Sequence, residues 1–229
     1  MATIAANLQA VRARIARAAQ AAGRAPEVIA LVAVSKTFPP DSIILAHAAG
    51  QRAFGENQVQ EAVAKITELA RLPLEWHFIG PIQSNKTGAI AAHFPWVHGV
   101  DREKIAQRLN AARAEGTAPI NVCIQVNVSG EASKSGVRPG EEERLAAAIA
   151  QLPRLKLRGL MAIPEPTPDT ALQRRRFALL RELKEKLVAR GYALDTLSMG
   201  MSDDFEAAIA EGATIVRIGT AIFGARKKI

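Results

Sequence analysis

One cysteine, one tyrosine and a 4% share of aromatic side chains in 229 residues set the first limits on this chain. Cys123 has no partner for an internal disulfide, and no local signature marks it as a nucleophile, so it is expected as a small core residue. No apolar run approaches the roughly 20 residues that span a bilayer. The N-terminus lacks a cationic flank, an apolar stretch and a small-residue cleavage site in that order, which places the chain in the cytoplasm by expectation. Linkers, repeats and low-complexity segments are also missing, so one domain over residues 1–229 is expected, with no metal site. The scarcity of aromatics bears on charge as well. Thirty Lys plus Arg against 22 Asp plus Glu give a formal +8, but the densest run, Arg174, Arg175 and Arg176, has no interleaved rings to stack on bases. The reading is therefore no nucleic acid, with the charge suited to attracting small phosphates.

What is present is an ordinary globular balance, 48% apolar and 23% charged. A first helix is predicted at about residues 3 to 22, with Ile4, Leu8, Val11 and Ile15 at helical spacing and Arg12, Arg14 and Arg17 on a solvated face. After it, short apolar runs alternate with helical patterns. Candidate strands are Val28 to Val34, Arg52 to Phe54, Glu75 to Phe78, Trp96 to His98, Ile120 to Val126, Leu155 to Leu160, Asp195 to Ser198 and Thr214 to Arg217. Helical segments include Asn57 to Arg71, Arg102 to Glu115, Gly140 to Gln151 and Leu172 to Arg190. Asn57 and Gln60 read as a capping box, and Gly191 as a C-terminal stop. Eight strands alternating with helices predict an α/β fold, a single (β/α)8 TIM-type barrel with an additional N-terminal helix.

Ligands of such barrels sit at the C-terminal ends of the strands. Lys36 follows strand one there, Asn57 strand two, Gly80 and Gln83 strand three, Met161 strand six, Ser202 strand seven, and Gly219 with Thr220 strand eight. The loops after strands seven and eight are where barrels commonly bind phosphate, and here they carry glycines at 200 and 219 beside the hydroxyls of Ser202 and Thr220. A phosphorylated ligand follows from the paired loops, although Ser202 could instead cap the helix that begins near Asp203. Lys36 beside such a site has two available roles, holding phosphate by charge or forming an imine with a carbonyl, and a rim lysine serving neither is the third reading.

The string Ala33-Val-Ser-Lys36-Thr, then Phe54-Gly-Glu-Asn57 with Val59-Gln-Glu61, and Trp76-His77-Phe-Ile-Gly80 with Gln83-Ser-Asn-Lys86 occur in order. Lys134-Ser-Gly136, Gly159-Leu-Met161, Leu197-Ser-Met-Gly-Met-Ser202 and Val216-Arg-Ile-Gly-Thr220 with Ile222-Phe-Gly224 follow. This set, spread over the whole chain, resembles the YggS/PROSC family of pyridoxal phosphate homeostasis proteins. The resemblance implies a barrel like the N-terminal domain of alanine racemase, with pyridoxal 5′-phosphate (PLP) held as a reversible Schiff base on Lys36. It implies phosphate contacts at Ser202, Gly219 and Thr220, and Arg217 facing the pyridine nitrogen. It also implies cofactor-lining positions at Asn57, His77, Met161 and Met199. For His77 a histidine satisfied inside the barrel is an equal reading, and Met161 and Met199 are expected to pack rather than react.

A guanidinium stays charged and donates to an unprotonated ring nitrogen, which makes the ring a poor electron sink. Racemases of this fold add a tyrosine base from another domain, whereas the single tyrosine here, Tyr192, precedes strand seven at the end opposite the ligand mouth. The resemblance thus implies a cofactor carrier rather than an enzyme, active in intracellular PLP homeostasis by buffering PLP and delivering it to apo-enzymes. A weak racemase or another PLP enzyme is the alternative. A monomer is expected, and Lys134 is either a second amine near the mouth or a solvated loop residue.

Overall fold

The hydroxyl of Thr3 accepts the Ala6 N–H and starts helix α1 (Ile4–Ala21), whose Leu8, Val11, Ile15 and Ala19 are buried. In this computed structural model, which describes residues 3–131 and 134–225, α1 lies outside a closed barrel of eight parallel strands. The strands are β1 (Ala30–Val34), β2 (Ala53–Glu56), β3 (Glu75–Phe78), β4 (Trp96–Val100), β5 (Ile120–Gln125), β6 (Leu155–Met161), β7 (Thr196–Ser198) and β8 (Ile215–Ile218). Each pairs with the next, and β8 closes on β1 with Ile215 opposite Ala30 and Ile218 opposite Ala33. Between them run α2 (Pro40–Ala48), α3 (Val59–Glu68), α4 (Thr87–His93), α5 (Glu103–Ala112), α6 (Glu142–Ala150), α7 (Thr170–Ala189) and α8 (Phe205–Ala210). The short helix α9 (Thr220–Phe223) follows β8.

The period of two along each strand sorts side chains into two layers. Ala33, Phe54, Trp76, Phe78, Val97, Ile124, Leu197 and Val216 point outward and pack under the helices in one continuous apolar layer. Each fully buried side chain of this size contributes roughly 1.5–3 kcal/mol relative to exposure. Val32, Trp96, Cys123, Met161 and Ile215 form a smaller cluster inside the barrel. The polar side chains of His77, His98, Ser198 and Arg217, spaced two residues from inward neighbours, share that interior.

The predicted strands coincide with the observed ones to within two residues at each end. The start of the first is corrected, because Pro26–Val28 forms a 3-10 turn whose proline sets a helical φ, and pairing begins at Ala30. The capping box is corrected too. Helix α3 starts at Val59 behind Gln58, and no side chain caps it, because Asn57 belongs to the turn leaving β2. Helix α7 starts two residues earlier than read, where the Asp169 carboxylate accepts the Leu172 N–H, and it ends at Gly191 with φ +94. Two arginines of the face expected to be solvated, and two of the run at 174–176, are engaged. Arg12 donates to Ala49 O and Gln51, Arg14 pairs with Glu206, Arg174 with Glu211 and Arg176 with Glu165. No helix among the described residues is long and apolar enough to cross a membrane.

Candidate functional site

A cleft of about 360 Å³ opens at the C-terminal ends of the strands, the size of a small-ligand pocket. Six of the nine predicted site residues line it: Lys36 after β1, Asn57 after β2, Ser202 after β7, Arg217 on β8, and Gly219 and Thr220 after β8. His77, Met161 and Met199 do not. Met199 points outward into the helix layer, since Ser198 before it points inward, and Met201 lines the cleft instead. Met161 sits in the inner apolar cluster. His77 lies inside the barrel, where its Nδ1 meets His98 and its Nε2 meets Glu75. Gln83, Tyr192 and Lys134 are also outside the lining, and Tyr192 packs against the helix layer on the chain leading into β7.

Local structure explains the convergence. Phe38 N–H donates to Ser35 O, closing a turn with Lys36 and Thr37 in its centre. Thr37 has φ +67, the only positive φ among the described non-glycine residues, in a position that type II turns usually fill with Gly or Asn. A β-branched residue there costs about 1–2 kcal/mol. On the opposite wall, Asp204 Oδ1 accepts Met201 N–H at 2.6 Å and shapes the loop after β7, while Ser202 Oγ lies 3.4 Å from the Ala221 N–H. Ser202 therefore does not cap α8, whose N-cap is Asp204, and it ties the two loops together. A Cβ on Gly219 would sit 3.2 Å from Val34 O, a tight contact that glycine avoids where β8 leaves past β1.

The floor carries a buried cation. Arg217 donates through Nη1 to Ser198 Oγ at 2.6 Å and through Nη2 to Ala162 O at 2.9 Å. Burial lowers its pKa to about 10, which leaves it charged at neutral pH. Ser198 Oγ accepts from Arg217 and, with both rings neutral and Glu75 Oε1 accepting at the far end of the chain, gives its own proton to His98 Nδ1, 2.7 Å away. His98 then carries its proton on Nε2 and donates to His77 Nδ1 at 2.9 Å, and His77 Nε2–H donates to Glu75 Oε1 at 2.8 Å. One chain of bonds with a single sense thus runs down the barrel interior from the cleft to the half-exposed Glu75 at the start of β3. Burial holds His98 well below the usual imidazole range and lowers His77 as well, against the pull of Glu75, in keeping with two neutral rings. Burial also pushes the Cys123 thiol up to about 12, consistent with a packing residue. The sequence hint for this chain was the i, i+2 placing of Glu75 with His77 and of Trp96 with His98. Ser198 gave no hint by itself.

The cleft offers an amine, two hydroxyls, a glycine backbone and a fixed cation, a donor set suited to a ligand with a phosphate and a carbonyl. Comparison with known proteins gives the same direction. Residues 6–227 match the family model described as alanine racemase, N-terminal domain. A protein of Pseudomonas aeruginosa PAO1 named pyridoxal phosphate homeostasis protein is 65% identical over 226 residues, covering 99% of this chain and 97% of its own. The chain belongs to the pyridoxal phosphate homeostasis proteins.

Among solved structures, PipY of Synechococcus elongatus PCC7942 is known with PLP bound. It aligns at a TM-score of 0.85 with 38% identity, covering 97% of this chain and 100% of PipY. Without PLP the same protein aligns at 0.87 with 39% identity. Alanine racemase from Corynebacterium glutamicum shares the fold, with a TM-score of 0.68 at 20% identity. The alignment covers 95% of this chain and 62% of the racemase.

Proposed function

We propose that this chain binds PLP in the cleft, holds it reversibly on Lys36, and serves as a carrier that buffers the cofactor and delivers it to apo-enzymes in the cytoplasm. The observation that carries the reading is the convergence of Lys36, Arg217 and the Ser202, Gly219 and Thr220 loops on one cleft of about 360 Å³. The donor set fits the cofactor group by group. Ser202 and Thr220 with the Gly219 backbone would hold the phosphate, Arg217 would donate to the ring nitrogen, and Asn57 would border the ring. When bound, the cofactor supplies an aldehyde carbon that an amine attacks reversibly with loss of water.

Lys36 is half-buried at the cleft wall, where its amine can meet a carbonyl held in the cleft. Arg217, anchored on Ser198 and Ala162, keeps its charge and donates without giving up a proton. This favours holding the cofactor over driving carbanion chemistry. The titratable groups among the described lining residues are Lys36, Asp203 and Arg217, a set without the tyrosine that racemases of this fold use as second base.

Titration of the native protein with PLP should produce an absorption band that Lys36→Ala abolishes, and the substituted protein should bind PLP at least tenfold more weakly. An unchanged band in the substituted protein would sink the attachment reading. Steady turnover of any L- or D-amino acid by the loaded protein would replace the carrier with an enzyme.

A further inference from the structure

The turn that bears Lys36 is held from outside the barrel by a buried ion cluster. Lys65 of α3 directs its ammonium at three acceptors: Ser35 O at 2.9 Å, Glu56 Oε1 at 2.9 Å and Glu61 Oε1 at 2.5 Å. Ser35 Oγ donates to the same Glu56 oxygen at 2.7 Å. Glu61 Oε1 also accepts the Thr37 N–H at 2.6 Å. Both neighbours of Lys36 in sequence are thus tied to one ammonium, Ser35 directly and Thr37 through Glu61. Lys65 and Glu56 are buried, and Glu61 is the member that reaches solvent. Glu56 Oε2 is buried with no hydrogen-bond partner, and burial raises that carboxyl above its usual range.

An arrangement of two carboxylates and one ammonium under an apolar helix layer is costly, and packing alone does not call for it. Its geometry matches one local need. Thr37 occupies a left-handed conformation that a β-branched residue leaves unless its backbone is held, and the Glu61 carboxylate holds that backbone N–H. The turn conformation in turn sets the direction in which Lys36, one residue earlier, leaves the strand toward the cleft.

We propose that Glu61, backed by Lys65, is a positioning residue that latches Thr37 in its left-handed form and so presents the Lys36 amine to the cleft. The inference rests on the reading of Lys36 as the attachment point for PLP. It carries a specific corollary, because glycine adopts the left-handed form unaided and should make the latch dispensable.

The test compares native protein, Glu61→Ala, Thr37→Gly and the Thr37→Gly/Glu61→Ala double variant. PLP is titrated by absorbance, the adduct on Lys36 is quantified by mass after borohydride reduction, and folding is checked by circular dichroism. Glu61→Ala should weaken attachment about tenfold, the scale of the conformational penalty at Thr37, and the double variant should return to within about threefold of native. Simple loss of a packing contact would not be rescued by removing a side chain elsewhere. If Glu61→Ala does not fold, Glu61→Met, which keeps the length of the side chain but has no oxygen to accept the Thr37 N–H, must show the same loss and the same rescue. Attachment at the native level in a folded Glu61 variant, or no rescue by Thr37→Gly, overturns the latch. Failure of the native protein to attach PLP at Lys36 would instead overturn the proposed function.

Discussion

At the residue scale, the most informative side chains lie beneath the cleft rather than in it. Arg217 only donates and Glu75 only accepts, and between these two ends a pair of neutral rings fixes the proton positions on Ser198, His98 and His77. The neutral imidazoles have a consequence for stability. In the unfolded chain both histidines take up protons near pH 6.5, whereas the native fold holds His98 well below that value and His77 below it. The unfolded state therefore binds more protons as pH falls through this window, and native stability must drop with it. Urea unfolding between about pH 7 and 5.5 should show a steeper loss in the native protein than in His98→Gln, which lacks one of the two rings. Equal slopes would show that His98 is not held neutral. Little of this chain was legible in the sequence, because its members come from separate strands and meet only when the barrel closes. Met199 was misplaced for a simpler reason. Strand alternation continues one residue past β7, so Ser198 inward already implies Met199 outward, and the turn at Gly200, φ +97, then brings Met201 to the cleft.

At the element scale, the barrel was largely readable because strand and helix periods alternate cleanly and the loop chemistry follows them. Where the reading slipped, a competing local use of the residue won. Asn57 has a capping side chain at helix-start spacing, but the turn after β2 uses it to border the cleft, and α3 begins two residues later. Pro26 draws the chain into a 3-10 turn where the apolar run suggested strand. Close approaches between strands are invisible in sequence. On β6, Gly159 lies opposite Thr196 of β7, and a Cβ there would come within 1.8 Å of Thr196 O. Gly159→Ala should therefore force β6 and β7 apart and cost about 1–3 kcal/mol, read as a lower urea midpoint with an unchanged slope. Because β7 feeds the loop bearing Ser202, the same variant should bind PLP more weakly. Native stability in Gly159→Ala would show that the sheet yields at this point without cost.

At the scale of the whole molecule, the barrel divides its work between two ends and two layers. The outer layer under the helices is mostly apolar and holds the ion cluster behind Lys36, and the interior is polar along the line from Arg217 to Glu75. The C-terminal end gathers the amine, hydroxyls and cation, while Tyr192 stays on the chain entering β7. That distribution suits a protein that takes up a reactive aldehyde and gives it back. The central claim is that Lys36 is the point of attachment. Borohydride reduction of PLP-loaded protein followed by peptide mass mapping tests it most directly. The account predicts that the added mass lies on the peptide containing Lys36 and disappears in Lys36→Ala, whereas a full adduct retained on another lysine of the substituted protein would contradict it.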